Sequence, residues 1–235
     1  MLQGGRSFND DERPEKHDYF HFVQDTDPVV LADIRMAGQE RNQAMRVVAF
    51  NGSPRKEGNT YLLVQRVFQE LHQEGIETEY FQIGGKPLRG CIACFKCVEN
   101  KDKKCVLPDD GLNDYIAKME EAEGIILASP VYFSNVTAEM KALIDRAGFV
   151  SKANGGLLKR KVGAAVVAVR RAGATIVYSD LNFFFGIHEM IIPGSSYWNL
   201  GIGRSAGEVL KDEEGLKTME NLGQNMVWLM KKLYA

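Results

Sequence analysis

All four cysteines of this 235-residue chain, Cys91, Cys94, Cys97 and Cys105, fall within fifteen consecutive positions. Random placement would do this about once in a thousand chains, so the grouping asks for a chemical reason. The spacing is CxxCxxC, then seven residues before the fourth cysteine. Three thiolates two residues apart can wrap one face of a cubane while a fourth closes the site, which is how a [4Fe-4S] cluster is held. Zinc more often takes paired CxxC units with a longer spacer. The spacing therefore favours an iron-sulfur centre, with zinc and free or disulfide-bonded thiols as the alternatives. Between Lys86 and Lys104 stand six basic residues against two acidic ones, Glu99 and Asp102. Such a run makes a solvated turn, and it also suits an anionic centre and an acidic electron carrier. The histidines at 17, 21, 72 and 188 lie at no metal-ligand spacing to the cysteines and read as structural or surface residues.

A second stretch, "NGSPRKEGNT" at residues 51 to 60, follows an apolar strand and opens a helical pattern. A triphosphate-binding loop needs four residues between its glycines and then Lys, whereas Gly52 and Gly58 have five between them and are followed by Asn59 and Thr60. The dinucleotide fingerprint GxGxxG is absent as well. What remains is a small, hydroxyl-rich loop at a helix N-terminus, where free N–H groups suit a monophosphate. Ser53, Arg55, Asn59 and Thr60 are its side-chain donors. The plainer reading is a polar turn with a cap, but a cap requires only one of these four residues.

The elements that must position these loops alternate. Strands are expected at 46–51, 77–83, 124–130 and 162–169, with a short fifth near 190–192. Helices are expected at 60–74, 111–122, 137–149, 175–186 and 212–233. Strands alternating with helices predict a parallel sheet covered on both faces, an α/β protein. Residues 1–44 carry five Lys or Arg against nine Asp or Glu and read as an arm, packing on its own domain or on a neighbouring subunit. Within it Asp27-Pro28 signals the start of a helix to about residue 42. Residues 45–235 form the main domain.

Composition bounds the rest. With 45% hydrophobic and 26% charged residues the chain can bury a sizeable core. A net charge of -2 gives no reason to expect nucleic acid. The longest nearly charge-free apolar run, 162–169, is too short to span a bilayer, and the first residues lack the apolar core of a secretory signal. No membrane association and a cytoplasmic location are the expectations.

The phosphate loop and the stretch "SPVYFSNVTAEMKALIDR", residues 129 to 146, resemble the flavodoxin-like NADPH-dependent FMN reductase superfamily. With the cysteine loop of residues 90–105 added, the chain is similar to that superfamily's iron-sulfur flavoprotein branch. The resemblance covers about residues 46–230 and implies a flavodoxin-like three-layer sandwich with a five-stranded parallel sheet of order 2-1-3-4-5. It implies that Ser53, Arg55, Asn59 and Thr60 hold the FMN phosphate. Pro130, Val131, Tyr132, Phe133 and Asn135 would line the isoalloxazine, largely through backbone groups. Arg171 and Gly173, in "RRAGAT", would face the ring's other side, although Ala172 departs from the common glycine pair. In such a sheet ligands bind outside the carboxyl ends of the strands, which puts the cysteine loop on the flavin rim.

The resemblance implies an FMN-dependent redox protein with a [4Fe-4S] cluster, a ferredoxin-like electron carrier as partner, and a homo-oligomer, dimer or tetramer. The alternative is an NAD(P)H-dependent reductase of flavin, quinone or another small acceptor, its cysteines holding no cluster. A third reading, a redox sensor, would need a recognition domain, for which only residues 1–44 are available. Flavin and cluster carry their own chemistry, so no acid, base or nucleophile is demanded of the side chains.

Overall fold

The computed structural model describes residues 44–107 and 110–234. The N-terminal arm, with its expected helix, His17 and His21, lies outside the described residues. Five strands, β1 (Arg46–Asn51), β2 (Glu77–Gln82), β3 (Gly124–Pro130), β4 (Val162–Val169) and β5 (Leu200–Ile202), pair in parallel in the order β2-β1-β3-β4-β5. The expected order is the observed one. Asn51 stands opposite both Gln82 and Ala128, so the strands end nearly level and their following loops leave from one rim.

Helices cover both faces because the central strands are apolar on both. Val47 and Ala49 of β1, with Ile126 and Ala128 of β3, pack on one side against Leu63, Val67 and Leu71 of α1 (Asn59–Gln73) and Met219, Leu222 and Met226 of α6 (Glu213–Tyr234). Val48, Phe50, Ile125 and Leu127 face the other way. They meet Leu112 and Met119 of α3 (Leu112–Glu121), Met140 and Leu143 of α4 (Ala138–Ala153), and Val177 and Leu181 of α5 (Ala174–Ile187). β4, "VGAAVVAV", is buried at every position, as a central parallel strand must be. Each fully buried Leu or Ile contributes about 1.5–3 kcal/mol, so these two layers dominate the stability.

Two elements differ from expectation. The fifth strand is not at 190–192. Ile191 makes a single parallel bridge to Val162, and pairing with β4 resumes only at residues 200–202. Pro193 has no N–H to give the ladder, so the edge leaves the sheet there and returns when the Asn199 carbonyl accepts the Val167 N–H. Within the cysteine loop stands a short helix, α2 (Lys96–Asn100), too brief for a periodicity to reveal. Among the described residues no helix is long and apolar enough to cross a membrane.

Candidate functional site

The loop after β1 turns through Gly52, whose N–H donates to the Ala128 carbonyl at 2.8 Å. A Cβ on Gly52 would lie 2.4 Å from Thr137 Oγ1, so only glycine lets this loop close on the start of α4. Thr137 in turn caps α4 by accepting the Met140 N–H. α1, by contrast, has no side-chain cap and no acidic residue in its first turn. Its free N–H groups and positive end face a cavity of about 280 Å³. Ser53, Arg55, Asn59 and Thr60 line this cavity together with Pro130, Val131 and Tyr132. The phosphate loop and the loop after β3 thus meet, as expected.

The roles within that group divide. Asn59 spends both amide hydrogens on the carbonyls of Gly203 and Ser205, each at 2.9 Å, so it braces a wall and has no side-chain N–H left for a ligand. Three guanidinium groups border the cavity: Arg55, Arg170 from the "RRAGAT" loop, and Arg204, which sequence reasoning missed. Arg171 and Gly173 line a neighbouring cavity of about 480 Å³ with Tyr197 and Trp198. Gly173 has φ +88°, and a Cβ there would meet Ser134 Oγ at 2.7 Å, so this glycine is needed where Ala172 is not. Tyr132 and Asn135 close a two-residue turn through reciprocal backbone hydrogen bonds of 2.9 and 3.0 Å. That turn throws Phe133 fully into solvent and directs the Asn135 Oδ1 to the Val136 N–H, so neither side chain lines the cavity.

All four cysteines line a single small apolar cavity, with Phe149, Val150 and Arg146 of α4 as its floor. The loop leaves the rim after β2 but does not stay on it. Arg146 lies nine residues into α4 from Thr137, about 14 Å along the helix axis. Lys103, further along the loop, reaches Asn154 at the far end of α4. The two cavities share no lining residue. This corrects the rim placement expected from topology: a long loop can fold back over a helix, and here the apolar Phe95 packs edge-on against Phe149 to make it do so. Ala93, Phe95, Lys101 and Lys103 have left-handed φ between 51° and 61°. Each costs about 1–2 kcal/mol in a non-glycine residue, a strain that gathers at sites shaped for a ligand.

A family model described as NADPH-dependent FMN reductase matches residues 45–204. The chain belongs to that family. An iron-sulfur flavoprotein of Methanocaldococcus jannaschii is 40% identical over 194 residues, covering 80% of this chain and 98% of the relative. One from Methanosarcina thermophila is 31% identical over 184 residues, covering 77% and 93%. Among solved structures, RosB with a bound 8-demethyl-8-formylriboflavin 5'-phosphate superposes with a TM-score of 0.63 at 18% identity, over 81% of this chain and 80% of RosB. That likeness shows the flavodoxin-like fold. As a member of the FMN reductase family the chain is a flavin-dependent oxidoreductase.

In this family member the electrostatics of the cysteine cavity turn on Arg146, which lies inside the motif "TAEMKALIDR" yet draws no notice in a sequence. It is 1% exposed. Burial opposes its charge, but hydrogen bonds to Asp110 and Cys105 prevail and hold its pKa above the usual arginine value. Burial likewise opposes the charge of Asp110, and the Arg146 guanidinium with the Arg89 N–H outweighs it, so this carboxyl stays below its usual range. Burial pushes the Cys97 thiol up. Among the described residues no three His, Cys, Asp or Glu side chains lie close enough to hold one metal ion. His188 is structural, its ring nitrogens 2.7 and 3.3 Å from the carbonyls of Phe184 and Gly148, and His72 pairs with Thr78 at the surface.

Proposed function

We propose that this flavin-dependent oxidoreductase carries FMN in the cavity of the phosphate loop and a [4Fe-4S] cluster on Cys91, Cys94, Cys97 and Cys105, and passes electrons between them. The observation that carries the reading is the convergence of four thiols from one short, strained loop on one apolar cavity. A lone tetrahedral zinc would draw its sulfurs to roughly 3.8 Å from one another, given Zn–S bonds of about 2.3 Å. The CxxCxxC run with a fourth cysteine seven residues on suits a cubane better than the paired CxxC units typical of zinc. FMN supplies the exchange between two-electron and one-electron chemistry, and the cluster supplies single electrons.

The chain's own residues bind and orient. The α1 N-terminus, Ser53 and Thr60 meet the phosphate, Arg55, Arg170 and Arg204 neutralise it, and Pro130, Val131 and Tyr132 flank the ring. The basic, apolar-tipped cysteine loop, with Ile92, Phe95 and Val106 exposed, suits an acidic ferredoxin-like carrier. A homo-oligomer, dimer or tetramer, is part of the proposal. Exposed Phe183 and Ile187 beside Ile144 and Phe149 on α4 and α5 supply an apolar face for it. The distance along α4 between the two cavities favours electron exchange with a flavin across that face.

Anaerobic purification followed by an absorption spectrum, with iron, sulfide and flavin quantified, tests the reading. About four irons and four sulfides per subunit are expected. Cys97→Ser should lose iron and keep FMN, whereas full iron in that variant contradicts the assignment. A second reading, an NAD(P)H-dependent reductase without a cluster, is favoured by the family's description. Stopped-flow mixing separates the two: rapid flavin bleaching by NADPH supports this one, and reduction only through reduced ferredoxin supports the first.

A further inference from the structure

Arg146 heads the largest fully buried side chains of the protein, a cation set among Phe149, Val150 and the cysteine loop. Burying a guanidinium is costly, and an apolar residue of similar volume would often serve stability as well. Its hydrogen bonds suggest what the charge is for. Nη1 donates to Asp110 Oδ2 at 2.5 Å and to the Arg89 carbonyl at 3.1 Å. Nε donates to Sγ of Cys105 at 3.3 Å. Cys105 is itself held in place: its N–H donates to Asn113 Oδ1 at 2.8 Å, and its carbonyl accepts from Asn113 Nδ2 at 3.0 Å. One sulfur of the four is thus fixed at its backbone and faced by a cation, and that cation is faced in turn by a single carboxylate.

Resting on the cluster reading above, we propose that Arg146 is a positioning residue that sets the reduction potential of the iron-sulfur centre through its Nε–H···Sγ hydrogen bond to Cys105, with Asp110 as the opposing charge. One-electron reduction adds one negative charge to the centre and moves no proton in this scheme. A cationic donor on a ligand sulfur stabilises the more negative state and raises the potential. Asp110, two atoms further on, partly cancels that field and restrains the rise. Removing the cation and removing the carboxylate must therefore move the potential in opposite directions.

The test is a dithionite titration followed by electron paramagnetic resonance on the anaerobically purified wild type and on Arg146→Gln, Arg146→Lys and Asp110→Asn. Each variant is first checked for its circular dichroism and for iron and sulfide per subunit. Arg146→Gln should lower the midpoint, by about tenfold in the reduction equilibrium or 59 mV for one electron. Asp110→Asn should raise it, and Arg146→Lys, which keeps the charge and loses the planar fork, should fall between wild type and Gln. Shifts of one sign, no shift, or loss of iron from all three folded variants would overturn the proposal and leave Arg146 a packing residue. A wild type without iron and sulfide would instead refute the cluster reading beneath it, so the two failures are distinct.

Discussion

Asn59 in the first turn of α1 donates to the carbonyl of Gly203, 144 residues away, at 2.9 Å. The same amide nitrogen holds Ser205, and its oxygen accepts the Val209 N–H, so one side chain ties the phosphate loop to the segment that follows β5. Asn59→Ala leaves two carbonyls and an N–H unpaired in a part-buried wall, at about 1–3 kcal/mol for such a group. The expected outcome is a lower urea midpoint together with flavin affinity weakened by about tenfold, since Arg204 rides on the released segment. Flavin fluorescence quenching reads the second effect, and unchanged binding would show that the segment is not a wall of the site.

Arg55, Arg170 and Arg204 border the cavity, and among the described residues none is in an ion pair. Three cations beside a helix N-terminus suit an anion. Arg170→Ala and Arg204→Ala should each weaken FMN by about ten- to a hundredfold, as expected for a charge-assisted hydrogen bond of about 1.5–3 kcal/mol. Riboflavin, which has no phosphate, should bind all three proteins equally. Equal losses for both flavins would assign these arginines to the ring.

Much of this was legible in the sequence, and the failures have physical causes. Strands β1, β3 and β4 are buried on both faces, so their apolar runs stand out whatever packs on them. β5 is three residues at an edge, interrupted at Pro193, and nothing local marks where it resumes. The loop after β4 is legible as a ligand loop, but adjacent residues leave a backbone on opposite sides, so Arg170 lines the phosphate cavity while Arg171 and Gly173 line the neighbouring one. Asn59 lines the cavity, but the carbonyls its amide bonds come from a distant segment that no local pattern announces. Arg146 escaped because a helical Arg looks solvent-facing until a loop from elsewhere covers it.

Phe133, expected against the flavin, is fully exposed at φ 50°. Asparagine accepts that backbone far more readily than phenylalanine. Phe133→Asn should keep or raise the thermal midpoint, by up to a few degrees for about 1 kcal/mol, and leave flavin affinity within about twofold. A large loss of flavin binding would place the ring against the cofactor after all.

The Arg146–Asp110 pair gives stability a pH signature. The Asp110 carboxyl is held below its usual value of 3.8 in the folded protein, chiefly because Arg146 outweighs the burial that opposes its charge. A group whose folded pKa is depressed contributes stability that is fully present above its unfolded pKa and is lost as pH falls through the folded one. The pair therefore contributes at pH 5 to 8 without change and fails only below about pH 4. Asp110→Asn removes the carboxylate and leaves a buried guanidinium without its counter-charge, which costs about 3–5 kcal/mol. Urea midpoints of the two proteins should differ by a constant amount from pH 8 to 5, and the gap should narrow below pH 4 as the wild-type carboxyl takes up its proton. A gap that closes near neutrality would mean that some other group, and not Asp110, balances Arg146.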